Sequence, residues 1–314
     1  MKKHSILITA LALTLGLQGA GVTVHAEGTA ADTSAGAGKI LTTATGTSSH
    51  AQAVYQAALP LLADSARLPQ AIQYLNSNIY AVSPYQATVL ILKLENLHKA
   101  ALPVWESRFS GSSVQRKLTS VYKAGISMAK LAESTEDAAL RTLLKSAGES
   151  GYKLETAEGS FFPVIDYAAY RKYKAYVMSD IRDYITIMAT ESDLPSSKDN
   201  GLVIGWSEVA ARALNQEQFI QHYPKSNRIT AVKTLYRVYV TNTFYGQNNT
   251  PLFHYDNLEM DLEAQKAYTS ILAKNNGSSP YLQKLDGLMK LLKENGYKQD
   301  ASVEKYLKEE VPLN

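Results

Sequence analysis

Helix-start signals recur along this chain, and they constrain its fold more than any other feature. Ser83-Pro84-Tyr85-Gln86 puts Ser at an N-cap, Pro at the first helical position and Gln at the third. Such a box satisfies first-turn N–H groups that have no partner inside a helix, and Pro has no N–H to leave unpaired. Ser112-Ser113-Val114-Gln115 repeats the box, and Ser134 to Asp137, Asp166 and Ser279-Pro280 supply further starts. Between the starts, apolar side chains recur at spacings of three and four. Val54, Ala58, Leu61 and Leu62 form one stripe, and Leu118, Tyr122, Ile126, Met128 and Leu131 form another. That period marks one face of an α-helix.

The pattern predicts helices from His50 onward. One runs from Ser83 to about Phe109, with a kink or break at Pro103, whose ring clashes with the preceding turn. A long one follows Asp166 to about Thr190. Others cover about 207–222, 226–245, 256–274, 279–294 and 302–310, with Gly246 and Gly296 where left-handed C-caps belong. Nine or ten helices with little strand define an all-α fold, an array or bundle in two halves. Residues 151–166 depart from the pattern. Glu158-Gly159 stands between two apolar runs, which read as a short β-hairpin or an extended connector, and Pro163 confines any strand there to an edge. This stretch is the expected join between an N-terminal half, 50–157, and a C-terminal half, 158–314.

The start of the chain reads as an address. Met1-Lys2-Lys3-His4 is basic, Ile6 to Leu17 is almost wholly apolar, and Val24-His25-Ala26 ends the segment with small residues at the cleavage positions. These are the three parts of a secretory signal peptide, and the apolar core is too short to span a bilayer. Residues 27–49 are rich in Gly, Ala, Thr and Ser and read as a flexible linker. The mature chain is therefore expected to be secreted or extracytoplasmic and soluble. Its sequence has no cysteine, which excludes disulfides, thiolate metal sites and a cysteine nucleophile. A formal charge of +3 over 314 residues lacks the basic excess of a dedicated nucleic-acid binder.

Phe219-Ile220-Gln221-His222-Tyr223-Pro224-Lys225-Ser226 is followed by Ala231, Leu235, Tyr236 and Tyr239. Pro224 cannot continue the first helix, and Ser226 is placed to cap the second. The segment, about residues 206–246, resembles a tetratricopeptide-like helical hairpin joined through a Tyr-Pro-x-Ser turn. The resemblance implies a helical-hairpin scaffold of the kind that binds partners. No second copy recurs at the 34-residue period of such repeats.

Motifs for chemistry are sparse. His50, His98, His222 and His254 have no helical partner at metal-ligand spacing, and neither a nucleophile elbow nor a phosphate loop is present. Asp180 and Asp183 share a helix face. Asp256, Glu259, Asp261 and Glu263 suit the positive end of a helix. Glu191, Asp193 and Asp199 lie in one predicted loop but lack calcium-loop spacing. No metal, cofactor or catalytic residue is assigned.

Tyrosine is the unusual residue, with 20 in the chain. Tyr167, Tyr170, Tyr173 and Tyr176 recur every third residue, interleaved with Arg171, Lys172 and Lys174. On an α-helix this spacing drifts around the cylinder, so the four rings cannot share one core-facing side. They form a basic-aromatic surface for a glycan, peptide or wall polymer, or else two of them pack between helices and the others sit at the rim. A second group is Phe244, Tyr245, Asn248, Asn249, His254 and Tyr255. Amides beside rings suit a sugar or peptide site, and they also suit a capped loop.

Three functions are compatible with these readings. The first is a secreted, non-catalytic helical protein that binds a protein or polymer of the cell envelope or exterior. The second is a secreted all-α enzyme acting on polysaccharide in the manner of a lyase, with His222, Arg237, Tyr245, Asn248 and His254 as candidates. The third is a structural protein of a matrix or spore.

Overall fold

The computed structural model describes residues 41–273 and 277–313. The leader expected at residues 1–26 lies outside the described residues, as does most of the stretch read as linker. The remainder of that stretch, 41–49, belongs to helix α1, Leu41–Ala58. Helix α2, Leu68–Asn78, carries Pro69 in its first turn. Helix α3, Pro84–Phe109, starts with the expected capping box: Gln86 N donates to Ser83 Oγ and Ser83 N donates to Gln86 Oε1. It runs through Pro103 without a break. Burial of Ala101, Leu102, Trp105 and Phe109 on either side holds the turns that the proline weakens.

The box expected at Ser112 does not form. Helix α4, Ser112–Val121, has Gly111 at its N-cap, with no side-chain bond there. Gln115 reaches across the fold instead, donating to the carbonyls of Phe109 and Phe161 and accepting from Phe161 N at 2.9 Å. The helix expected to continue to Leu131 stops at Val121 and resumes as α5, Met128–Ser134, capped by Ser127. Helix α6, Ala138–Glu149, is capped by Asp137.

The hairpin at 151–166 is real. Strands β1, Tyr152–Ala157, and β2, Ser160–Ile165, pair antiparallel from Tyr152↔Ile165 to Ala157↔Ser160. Glu158 and Gly159 turn the chain with φ of 49° and 72°, the left-handed pair that a two-residue hairpin needs. Asp166 then caps a 3-10 helix, Tyr167–Tyr173, rather than the start of a long α-helix. Helix α7 begins afresh at Ser179 and ends at Asp193. A tiny hairpin, β3 (Ser197–Lys198) and β4 (Gly201–Leu202), leads to α8, Trp206–His222. Helix α9 is Ile229–Tyr245, followed by β5, Gly246–Gln247, and β6, Thr250–Pro251. Helices α10, Leu262–Leu272, α11, Pro280–Glu294, and α12, Ala301–Glu310, complete the fold, capped by Asp261, Ser279 and Asp300. Among the described residues the fold is mostly helical, with twelve α-helices where nine or ten were expected and only short antiparallel strand pairs. No helix among them is long and apolar enough to cross a membrane.

Two apolar cores divide the molecule. The first gathers α2 to α7, the β1–β2 hairpin and the 3-10 helix. The second gathers α10 to α12 with Ile204, Trp206 and Val209. The hairpin expected to join two halves lies inside the first core, through Tyr152, Leu154 and Ile165. The chain passes between cores near residues 194–204. The α8–α9 pair serves both: Phe219, Ala231 and Val232 at its closed end enter the first, and Ala213, Leu235 and Tyr239 enter the second.

Candidate functional site

The closed end of the α8–α9 pair is docked onto α7 by two carboxylates. Asp180 and Asp183 share a face of α7, as their spacing of three requires. Asp183 Oδ2 accepts from the Tyr223 hydroxyl at 2.8 Å, and Asp180 Oδ2 accepts from the Ser226 hydroxyl at 2.7 Å. Ser226 is therefore not the N-cap of α9, a place taken by Arg228; its oxygen accepts from Arg228 N at 3.2 Å while the hydroxyl proton goes to Asp180. Tyr223 and Ser226 act as the two pins of the turn.

Above this joint, α7 and α8 run antiparallel and leave a cleft of about 430 Å3 between them. On α7 the lining follows helical spacing: Asp183, Ile187, Thr190 and Glu191. On α8 it is Arg212, Gln216, Phe219 and Tyr223, with His222 at the rim. Glu191 is not in a loop, as the sequence predicts, but in the last turn of α7, buried at the deep end of the cleft. Its carboxylate accepts from the Tyr239 hydroxyl at 2.6 and 2.7 Å and from Arg212 Nη1 at 3.4 Å. Burial raises its pKa, and the Tyr239 and Arg212 donors oppose that rise. Arg212 also donates to the Leu194 carbonyl at 2.8 Å and from Nε to Glu208 at 2.8 Å.

Gln216 is 1% exposed, and its Oε1 has no hydrogen-bond partner among the described residues. An unpaired buried acceptor costs about 1–3 kcal/mol unless a water or another donor reaches it. At the rim, His222 Nδ1 lies 2.8 Å from the Gln218 carbonyl. A carbonyl only accepts, so Nδ1 carries the proton and Nε2 is left for a ligand.

The residues singled out in the sequence fall elsewhere. Tyr167, Tyr170 and Tyr173 are buried in the first core and form no surface platform; Tyr176, 36% exposed, sits at the rim. A 3-10 helix has three residues per turn, so this spacing stacks the side chains on one face instead of spreading them. The rings step along that face, with centroids 5.5 and 6.0 Å apart. Their hydroxyls go to Glu95, His98 and Asn76. In the second group, Phe244 is fully buried and Tyr245 spends its hydroxyl on the Leu307 and Val311 carbonyls. Asn248, Asn249, His254 and Tyr255 are exposed. Tyr255 donates to the Asn248 carbonyl at 3.2 Å, and Asn249 Nδ2 ties the loop to the Asp199 carbonyl at 2.6 Å. Of the lyase-type set, His222 stands at one end of the α8–α9 pair and Tyr245 at the other, about 24 Å away by helix rise over Ile229–Tyr245. The acids considered for calcium have separate partners: Asp193 pairs with Arg171, and Asp199 accepts from Glu158 N. No group of three or more metal-ligating side chains occurs among the described residues.

Sequence reasoning missed the cleft because its signal is spread over two helices. Arg212 and Gln216 interrupt the apolar stripe of α8 at i and i+4, which is where buried polar groups announce themselves. In comparisons with known proteins, no family model matches the chain, and no curated protein or solved structure matches it.

Proposed function

We propose that this is a secreted, non-catalytic helical protein that binds a partner of the cell envelope or exterior, and that the α7–α8 cleft is its ligand seat. The observation that carries the reading is an open cleft whose wall includes the buried amide of Gln216. Binding rather than reaction suits the other groups. The Tyr223 proton is held by Asp183, the Tyr239 proton by Glu191, and the Thr186 and Thr190 protons by main-chain carbonyls. The leader-like residues 1–26 support export, and the tetratricopeptide-like character of the α8–α9 pair supports a scaffold for recognition.

The test is sedimentation of the full chain with purified wall polymers and with envelope extracts, for the natural sequence and for Gln216→Leu. Loss of at least about tenfold in binding, with an unchanged unfolding midpoint, is expected from removal of one buried polar contact. Binding that is indifferent to Gln216 moves the seat away from the cleft.

A further inference from the structure

Charge is spread unevenly along the chain. Between Lys39 and Lys93 the charged side chains are Asp64 and Arg67, with one histidine, His50, although 19% of all residues are charged. Both charges lie at the start of α2, where Asp64 caps a 3-10 turn that ends at Arg67. The other end of α2 is about 15 Å away by helix rise, and its neighbours converge on it. Gln86, in the first turn of α3, donates from Nε2 to Gln52 Oε1 of α1 at 3.2 Å, and Tyr74 donates to the Val54 carbonyl of α1 at 3.2 Å. Tyr173 donates to Asn76 Oδ1 at 2.7 Å and Met178 N donates to Thr88 Oγ1 at 2.8 Å, which brings residues 173–178 alongside. Toward solvent this end presents two phenol rings, Tyr80 and Tyr85, 68% and 71% exposed, with the exposed amides of Gln52 and Asn76. Neither phenol has a hydrogen-bond partner among the described residues. Five residues of chain hold the Cα atoms of the two tyrosines within about 17 Å of each other. The flanking cations are Lys172, over the Tyr173 ring at 5.6 Å, and Lys174. The acid on that side, Asp180, is bonded to Ser226.

A phenol ring offers an apolar face and a hydroxyl at its edge, and an amide both donates and accepts. From α1 through the first turns of α3 this end holds no acid or base to steer or pair with a charged polymer. A protein partner needs a packed apolar centre, and among the described residues Met178 is the one large aliphatic side chain exposed here to supply it. A sugar ring matches better. Its C–H face stacks on a phenol, and its hydroxyls donate and accept without charge. We propose that this end of the molecule binds a neutral polysaccharide, with sugar rings stacked on Tyr80 and Tyr85 and hydroxyls bonded to the two phenols and to the amide nitrogens of Gln52 and Asn76. The site shares no lining residue with the α7–α8 cleft and does not depend on the cleft being a ligand seat.

Affinity electrophoresis of the full chain in native gels tests this. The probes are hydroxyethylcellulose, dextran and galactomannan, which are neutral, and polygalacturonate, which is anionic. At least one neutral polymer is expected to retard the chain with an affinity indifferent to salt, and polygalacturonate is expected not to. Tyr80→Ala and Tyr85→Ala are each expected to weaken retardation by about tenfold. Both rings stand in water, so the unfolding midpoints should not move, which separates a lost contact from lost folding. Gln216→Leu should leave retardation unchanged, and the double tyrosine variant then reports on the cleft alone. Failure of every neutral polymer to retard the chain overturns the proposal, as does retardation that survives both tyrosine substitutions. Retardation by polygalacturonate alone also overturns it and assigns this end to an anionic polymer held by Lys172 and Lys174. Retardation that falls with Gln216→Leu and not with the tyrosine variants overturns it by placing the polymer in the cleft. A chain that is dimeric in sedimentation equilibrium and becomes monomeric on Tyr85→Ala makes this end an interface between copies, and that result overturns the polysaccharide as its occupant.

Discussion

His98 lies 1% exposed between the tyrosine ladder and the hairpin. Its Nε2 faces the Ser150 carbonyl at 2.9 Å, so Nε2 carries the proton and Nδ1 accepts from the Tyr170 hydroxyl at 2.6 Å. Burial lowers its pKa from 6.5 to about 4, against the smaller opposing effects of Ser150 and Glu95. The unfolded chain therefore takes up a proton on this ring at higher pH than the folded one. Above pH 6.5 the ring is neutral in both states and stability is intact; as pH falls from 6.5 toward 4, about 3 kcal/mol is lost. Glu191, raised by burial, acts in the opposite sense, because its contribution is lost as pH rises. Comparing urea midpoints of the natural chain and His98→Gln across pH 4–6.5 isolates the ring, and the variant should show the shallower slope. Gly151→Ala should destabilise at any pH by more than about 1 kcal/mol. Its φ is +81°, and an added Cβ would lie 2.5 Å from His98 Nε2.

At the scale of the element, local rules held wherever a side chain had no stronger offer. Ser83 and Ser279 cap as their spacing predicts, whereas the helices expected to open at Ser134 and near Asp256 start later, capped by Asp137 and Asp261. Gln115 and Ser226 failed as local caps because each had a tertiary partner, Phe161 and Asp180 respectively. The tyrosine ladder was legible as an anomaly but not as a solution, since its period fits three residues per turn and the reading assumed an α-helix. The cleft was not legible as a unit, because the interruptions of the α8 stripe carry no linear pattern that relates Glu191 to Tyr239 or Arg212. The Ser226–Asp180 bond makes the difference measurable. Ser226→Ala and Asp180→Ala should each cost about 1 kcal/mol, and the double variant less than their sum, because both remove one hydrogen bond. Strict additivity in a thermal-denaturation cycle would refute a docked turn and restore Ser226 as a simple cap.

At the scale of the molecule, the question is whether two cores make one cooperative unit. The α8–α9 pair contributes side chains to both, and polar anchors reinforce each attachment. On the first core, Arg228 Nε donates to Glu95 Oε2 at 2.6 Å, and Tyr167, Tyr184 and Lys99 share the same carboxylate. Burial by itself would raise the Glu95 pKa, and the charges of Arg228 and Lys99 outweigh it and hold the group below its usual range. On the second core, Glu217 accepts from Tyr281 N at 2.8 Å and from the Ser279 hydroxyl, tying α8 to the start of α11. Neither core can lose the pair without stranding a buried carboxylate, so both should unfold together. The chain's two tryptophans make this testable, because Trp105 belongs to the first core and Trp206 to the second. Trp206→Phe leaves fluorescence reporting on the first core, and Trp105→Phe leaves it reporting on the second. In each single-tryptophan chain the fluorescence transition in urea should coincide with that by far-ultraviolet circular dichroism. Arg228→Ala, made in each background, should then lower stability by about 3 kcal/mol by leaving Lys99 as the one cation still paired with buried Glu95. It should also move the Trp105 signal to lower urea than the Trp206 signal, because only the attachment to the first core is cut. Fluorescence and dichroism midpoints that already differ without that substitution would show two independent units, with the α8–α9 pair a linker between them and not a shared beam.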